Sequence, residues 1–501
     1  MTPAEPTPSG AMGDDESSVV SLLRRGGLAF SGGVVAGLAG LVLSVIVGRS
    51  YGTTGSGVFF SVVAVVTIIS NIVELGADTG FVWQLPRLRA TGRAGQQRRA
   101  LRIGGVPVAV TAGVAALAVF LSAPWLGGAL GDPALTVPGL QIGSVAVLGG
   151  TVATVAIAAT RGFGYIMPFI LLQNLILPIG RVLLILGIVI WSGSVVLAIG
   201  AWAIVWTLVG VAALLLVYRT ARGLPEDHSA VSQGLRTEFW GYSIPRAFAA
   251  GIEILLVWSD VILVAIFLGP SDAGVYAIAS RFITAGTLGE NALRISLAPR
   301  FSALFSNGQQ TLVSELLTAA KPVMVVLTWP IFLGSAIFAA AVLGIFGTGF
   351  ETGIPVLALL SCTMLIISVL GPVQSTLLMS GRTSAQLWNK VVALVVQVGL
   401  NLILLPTVGL IGAGIAWSAS MLVDNLLAAV ELHILENVRP AWRGTVITCG
   451  VLAVAGIVAY AIVSLLQVSG IPSLVVAGVP LGLAMVCLLG MRGSPAAIRG
   501  L

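Results

Sequence analysis

In a chain this apolar, the residues able to do chemistry are the charged ones placed where hydrocarbon should surround them. Asp260 and Arg281 lie on two consecutive apolar stretches joined at Leu268-Gly269-Pro270-Ser271-Asp272. At about 1.5 Å per residue from that turn, each sits roughly 12–15 Å deep, near a bilayer midplane. A charge there costs at least ~2.5–3.5 kcal/mol, so it should face protein or water and mark a site. Arg181 is a third such residue, about 22 Å from one end of its span, beside the helix-loosening Pro178 and Gly180.

Each charge has two readings. Arg181 either lines a cavity that receives an anionic group or pairs with an acid such as Asp260. Asp260 and Arg281 either pair with each other, or Asp260 takes up H⁺ or Na⁺ while Arg281 holds a phosphate. Glu290 and Arg294, spaced i,i+4, either neutralise each other or share a site. Arg49, at the end of the first span, is the one basic residue expected on the outer side, and that exception makes it a candidate functional residue. Asp78 is a candidate ion-coupling carboxylate, and with Glu74 and Glu253 it could instead be a solvated helix end.

The elements that must position these groups follow from composition. The 501 residues are 57% apolar and 9% charged, far below the ~25% charged of soluble domains. Apolar runs long enough to span fall at 26–48, 57–79, 103–125, 138–159, 167–191, 195–217, 247–269, 272–296, 321–345, 354–379, 388–407, 410–433, 446–466 and 472–490. The expectation is an all-α polytopic membrane protein of about fourteen helices. With the N-terminus inside, Arg and Lys gather in the inner loops and Arg49 alone faces outward. Both termini are therefore expected in the cytoplasm.

The expected organisation is a disordered cytoplasmic tail over 1–20, a six-helix lobe over 21–217 and a cytoplasmic linker over 218–246. A second six-helix lobe covers 247–433, and two further helices with the C-terminus occupy 434–501. A weak repeat supports it. Gly52-Thr-Thr-Gly-Ser-Gly57-Val58-Phe59 is echoed by Gly269-Pro-Ser-Asp-Ala-Gly274-Val275-Tyr276, and both begin on the same side. Parallel lobes related by a pseudo-twofold along the membrane normal would produce this.

Several function classes drop out. The +6 net charge is spent on loops and not on one basic face, so nucleic acid is not an expected partner. Cys362, Cys449 and Cys487 are isolated and only two histidines occur, so no metal site is expected. No phosphate-binding loop, catalytic triad or paired-carboxylate pattern is present, and the chain is not expected to be an enzyme. Arg-over-Lys usage with abundant Gly and Ala suggests a GC-rich bacterial genome.

The chain resembles the Wzx-like polysaccharide flippases of the multidrug/oligosaccharidyl-lipid/polysaccharide (MOP) superfamily. The likeness is carried by Gly48-Arg49-Ser-Tyr-Gly52, Glu74-Leu-Gly-Ala-Asp78 with Leu85-Pro86-Arg87, Ser259-Asp260, and Gly274-Val-Tyr276-Ala-Ile-Ala-Ser-Arg281. Pro299-Arg300-Phe301-Ser302 and the run from Asn401 to Ala413 complete it. The resemblance implies alternating access between two lobes in the plasma membrane. The cargo would be a polyprenyl-pyrophosphate-linked oligosaccharide moved to the outer leaflet, with Arg49, Arg181 and Arg281 as the cavity cations. It also implies membrane lipids and other polysaccharide-assembly proteins as partners. No cofactor is expected beyond a coupling ion, H⁺ or Na⁺. The alternatives are a multidrug/cation antiporter of the same superfamily, a membrane polysaccharide polymerase or ligase, and a non-transporting scaffold.

Overall fold

The computed structural model describes residues 11–224 and 234–492. The helices, in chain order, are α1 (Ala11–Val73), α2 (Ala77–Ala90), α3 (Gln97–Leu130), α4 (Pro133–Gly143), α5 (Val145–Gly162), α6 (Leu177–Trp191) and α7 (Val195–Arg222). They continue with α8 (Leu235–Leu268), α9 (Pro270–Gly286), α10 (Leu288–Ser306), α11 (Gln310–Ile337), α12 (Ala339–Gly344), α13 (Ile354–Leu370) and α14 (Val373–Met379). The last are α15 (Thr383–Val408), α16 (Leu410–Leu435), α17 (Arg443–Leu465) and α18 (Ile471–Arg492). No strand occurs among the described residues.

Twelve of these helical stretches are long and apolar enough to cross a membrane. The first of them, Ser31–Ala90, is broken at Gly52, whose φ of 64° only glycine adopts easily. The chain doubles back there: Gly48, before the break, packs near Ile278 of α9, and Phe60, after it, again lies beside α9, 5.7 Å from the Arg281 guanidinium. This stretch therefore holds the first two expected spans. The 272–296 run is interrupted: α9 ends at Gly286, pressed against Phe332, and α10 starts at Leu288.

Three other boundaries differ from expectation for visible reasons. α1 reaches back to Ala11, into the tail expected to be disordered, while residues 1–10 lie outside the described residues. The expected linker 218–246 also lies partly outside them, but α8 already begins at Leu235. Leu235, Phe239 and Ser243, four residues apart, form one fully buried stripe that binds this extension to α2 and α3. Before α6, residues Phe169–Ile176 wind as a π-helix. Pro178 has no N–H for the Asn174 carbonyl, so the turn ahead of it loosens.

The two halves meet at both ends of the molecule. At the Gly52 end, Gly57 and Gly274 let α1 and α9 touch backbone to backbone, and Ser271 Oγ lies 2.9 Å from Thr53 Oγ1. At the other end, Phe239 packs against Phe81 and over Gly80 and Gly104, and Trp83 stacks on Tyr242 with centroids 4.4 Å apart. Glu238 faces Arg87 and Arg93 there at 3.7 and 3.6 Å. Helices α17 and α18 dock on α11, where the buried Lys321 ammonium sits 3.3 Å from the centre of the Trp442 ring.

Candidate functional site: a polar chamber and its cations

The second half encloses a cavity of about 410 Å³ between α8, α9, α10, α13, α15 and α16. Six charged side chains line it: Glu253, Arg281, Glu290, Arg294, Lys390 and Asp424. Arg281 comes from α9, and its guanidinium lies over the Trp258 indole of α8 at 3.7 Å, with Phe60 of α1 at 5.7 Å. Its Nε is buried and has no hydrogen-bond acceptor among the described residues, and the same holds for Arg294 Nε. A buried donor left unpaired costs ~1–3 kcal/mol, more when charged. The chamber thus presents two cations whose Nε lacks an acceptor among the described residues.

Lys390 is different, since its ammonium is 2.8 Å from Asp424 Oδ2, and Asp424 is 1% exposed. Asp424 Oδ1 has no donor among the described residues. Glu290 and Arg294 both line this chamber.

Asp260 does not pair with Arg281. It is 1% exposed and satisfied by neutral donors: Tyr276 Oη donates to Oδ2 at 2.7 Å, and Gln397 Nε2 and Asn401 Nδ2 donate to Oδ1 at 2.8 and 2.7 Å. These three bonds tie α8 to α9 and α15. They fix the stretch of α8 that carries Trp258, and so the surface on which Arg281 rests.

Nor does Arg181 pair with Asp260 or any other described acid. It lies over Trp202 and Trp206 of α7 at 5.0 and 4.6 Å, and its Nε and Nη2 are buried without an acceptor. It borders a separate cavity of about 290 Å³ that also carries Gln173 and Asn174. The same two indoles line a third cavity, of about 250 Å³, with Glu74 and Asp78. Arg181 and Arg281 are therefore in different places, and Asp78 lies in neither arginine's cavity. Arg49 lines none of the three. It is exposed at the Gly52 end, where its Nε donates to the Ile345 carbonyl at 2.7 Å.

Sequence reasoning missed the indoles and the Lys390–Asp424 pair. Trp202 and Trp206 are spaced i,i+4 inside a span, not at its edge, and Trp258 stands two residues from Asp260. Aromatics at those depths beside isolated arginines were the available signal. Gln397 and Asn401, also i,i+4, are amides in the otherwise apolar 391–406 stretch of α15.

Residues 22–305 match the model of a family described as "Polysaccharide biosynthesis protein". The chain belongs to that family. Among relatives of this family's chain is the "Probable low-salt glycan biosynthesis flippase Agl15" of Haloferax volcanii. It is 26% identical over 183 residues, which are 36% of this chain and 39% of that protein. The chain thus matches well under half of that relative's length. Among solved structures, "Lipid II flippase MurJ, inward closed conformation" superposes with a TM-score of 0.72 at 12% identity, covering 92% of this chain and 98% of that one. An inward-facing multidrug resistance MATE transporter of the MOP superfamily gives 0.67 at 14% identity, over 81% and 94%. The fold is that of these membrane transporters.

Proposed function

We propose that this protein is an alternating-access flippase that moves a polyprenyl-pyrophosphate-linked oligosaccharide from the inner to the outer leaflet. The observation that carries the reading is Arg281: a buried guanidinium, parked on an indole without an acid, facing a polar chamber. The cargo's head group is charged and hydrated, and crossing bare hydrocarbon would strip that hydration at great cost. Arg281 and Arg294 replace it with charge-assisted hydrogen bonds, the amides around them meet sugar hydroxyls, and the polyprenyl tail stays in lipid. The family membership and the flippase names of relatives support this reading.

In the same reading the basic loops are cytoplasmic, both termini face inward, and the Gly52 end opens outward. An ion cycle drives the motion. The carboxylates that face cavities, Glu290 and Asp424 on one side and Asp78 with Glu74 on the other, are better placed to take H⁺ or Na⁺ than Asp260, whose oxygens are occupied. Arg181 would receive an anion in its own cavity, while Arg49 acts in closing the outer end. Partners in polysaccharide assembly would supply and remove the cargo.

One observation favours a second reading, a cation antiporter: the chamber's three acids balance its three bases. A single proteoliposome assay separates the two. A fluorescent polyprenyl-pyrophosphate oligosaccharide in the outer leaflet is followed for loss of quenching by an impermeant reductant, alongside uptake of a cationic dye. The flippase reading expects lipid translocation to fall about tenfold or more in Arg281→Ala, and also in Arg281→Lys, because the flat stack and fork are lost. Dye uptake without lipid translocation overturns it.

A further inference from the structure

We propose that the groove between α3 and α7 binds an anionic glycerophospholipid, with its phosphodiester at the basic mouth and its acyl chains along the apolar wall. Helices α3 and α7 both pack on α5. The space left between them, about 410 Å³, is as large as the central chamber and shares no residue with it.

The groove is built from two helix faces in register. On α3, Arg98, Leu101 and Arg102 stand at i, i+3 and i+4. On α7, Leu214, Leu215, Tyr218 and Arg222 form one stripe. The apolar side chains of both helices lie on one side, and three arginines gather at one end. Among the described residues no acid lines the groove, and Arg98 has an interaction of its own, so the phosphodiester falls to Arg102 and Arg222. Arg222 is held in place by Tyr218: its guanidinium lies over the phenol ring at 4.4 Å and donates to the hydroxyl. A soluble anion would use only the arginines, and a neutral lipid only the wall. A phosphodiester carrying two chains uses both, as basic pockets between membrane helices do elsewhere. The Leu214, Leu215 and Tyr218 side chains are each about half exposed, so chains from the bilayer reach them directly.

The test does not depend on transport. The full chain, purified in detergent, is titrated by native mass spectrometry with phosphatidylglycerol and, separately, with phosphatidylcholine of the same chains. At ~1 kcal/mol per basic residue near an anionic surface, the double variant Arg102→Gln/Arg222→Gln should hold its tightest phosphatidylglycerol about ten- to thirtyfold more weakly. Leu215→Trp, which fills the wall and keeps every charge, should also weaken it. The charge-matched Arg439→Gln/Arg443→Gln should bind as the parent does. Equal retention of the two lipids, unchanged binding in both groove variants, or displacement by millimolar inorganic phosphate would each overturn the proposal. So would a site that takes polyprenyl phosphate and refuses phosphatidylglycerol.

Discussion

Replacing Gly274 with alanine is the most discriminating perturbation of the closed Gly52 end. A methyl group there would stand 2.0 Å from the Thr53 carbonyl oxygen and 2.7 Å from the Gly57 nitrogen. Ordinary C···O contacts begin near ~3.3 Å, so α1 and α9 must part by about an ångström. Overpacking of this kind costs ~1–3 kcal/mol. In an alternating-access cycle the cost falls only on states closed at this end, so their population drops about 5- to 150-fold relative to open ones. Helix propensity alone predicts the reverse sign, since alanine favours a helix over glycine by ~1 kcal/mol. The assay uses the Thr53→Cys/Ser271→Cys pair, whose parent hydroxyls are 2.9 Å apart, in a background lacking Cys362, Cys449 and Cys487. Oxidative cross-linking should be fast in that background and at least fivefold slower with Gly274→Ala. Gly105→Ala, whose methyl meets nothing within 4 Å, should change nothing. A cross-linking rate for Gly274→Ala within twofold of the parent, in protein of normal thermal stability, would refute the reasoning.

Three further outcomes are expected. Lys390→Met should lower stability by ~3 kcal/mol, because it leaves Asp424 charged and buried. Adding Asp424→Leu should restore the melting temperature without restoring transport. Asp260→Asn should cost ~1–3 kcal/mol, seen as a lower melting temperature, because one amide N–H must face the donors of Gln397 or Asn401; losing transport at full stability would instead mark Asp260 as an ion carrier. Phe239→Ala should loosen the Arg87 end, read as faster labelling of Ser243→Cys, a near-isosteric change at a fully buried position there, while labelling at the Gly52 end stays the same.

Depth was legible in the sequence and partnership was not. The positions of Arg181, Asp260 and Arg281 in mid-span follow from counting residues out from a turn. What each touches depends on residues far away in the chain: Asp260 meets Gln397 and Asn401, 137 and 141 residues on. No local pattern encodes that meeting. The Asp260–Arg281 pairing looked natural because both groups lie at similar depth on adjacent helices, but depth fixes height and leaves helix rotation free. Trp258, on the same helix as Asp260, takes the position facing Arg281. Arg49 stands out in the sequence as an exception to the charge rule, and in the structure its Nε ties the end of the first span to the Ile345 carbonyl. The start of α8 was missed for a different reason. A run scored for hydrocarbon begins at residue 247, whereas Leu235, Phe239 and Ser243 bury one narrow stripe of a polar segment.

The way the chamber keeps its arginines bears on what they are for. An arginine paired with an acid is already neutralised, and an incoming phosphate would have to break that pair before gaining anything. Lys390, bound to Asp424, is in that position. Arg281 and Arg181 are not. Each rests over an indole, which attracts a desolvated cation by up to ~2 kcal/mol while its Nε keeps no acceptor among the described residues. The planar group is thereby oriented, partly compensated for burial, and still able to give N–H bonds in its own plane. Such an arrangement holds a cation ready in hydrocarbon without filling its coordination, and a planar guanidinium adds a two-pronged donor fork that an ammonium such as that of Lys321 lacks. In the proposed reading, the unpaired Nε of Arg281 is the feature that would separate a receptor for a charged head group from a structural ion pair.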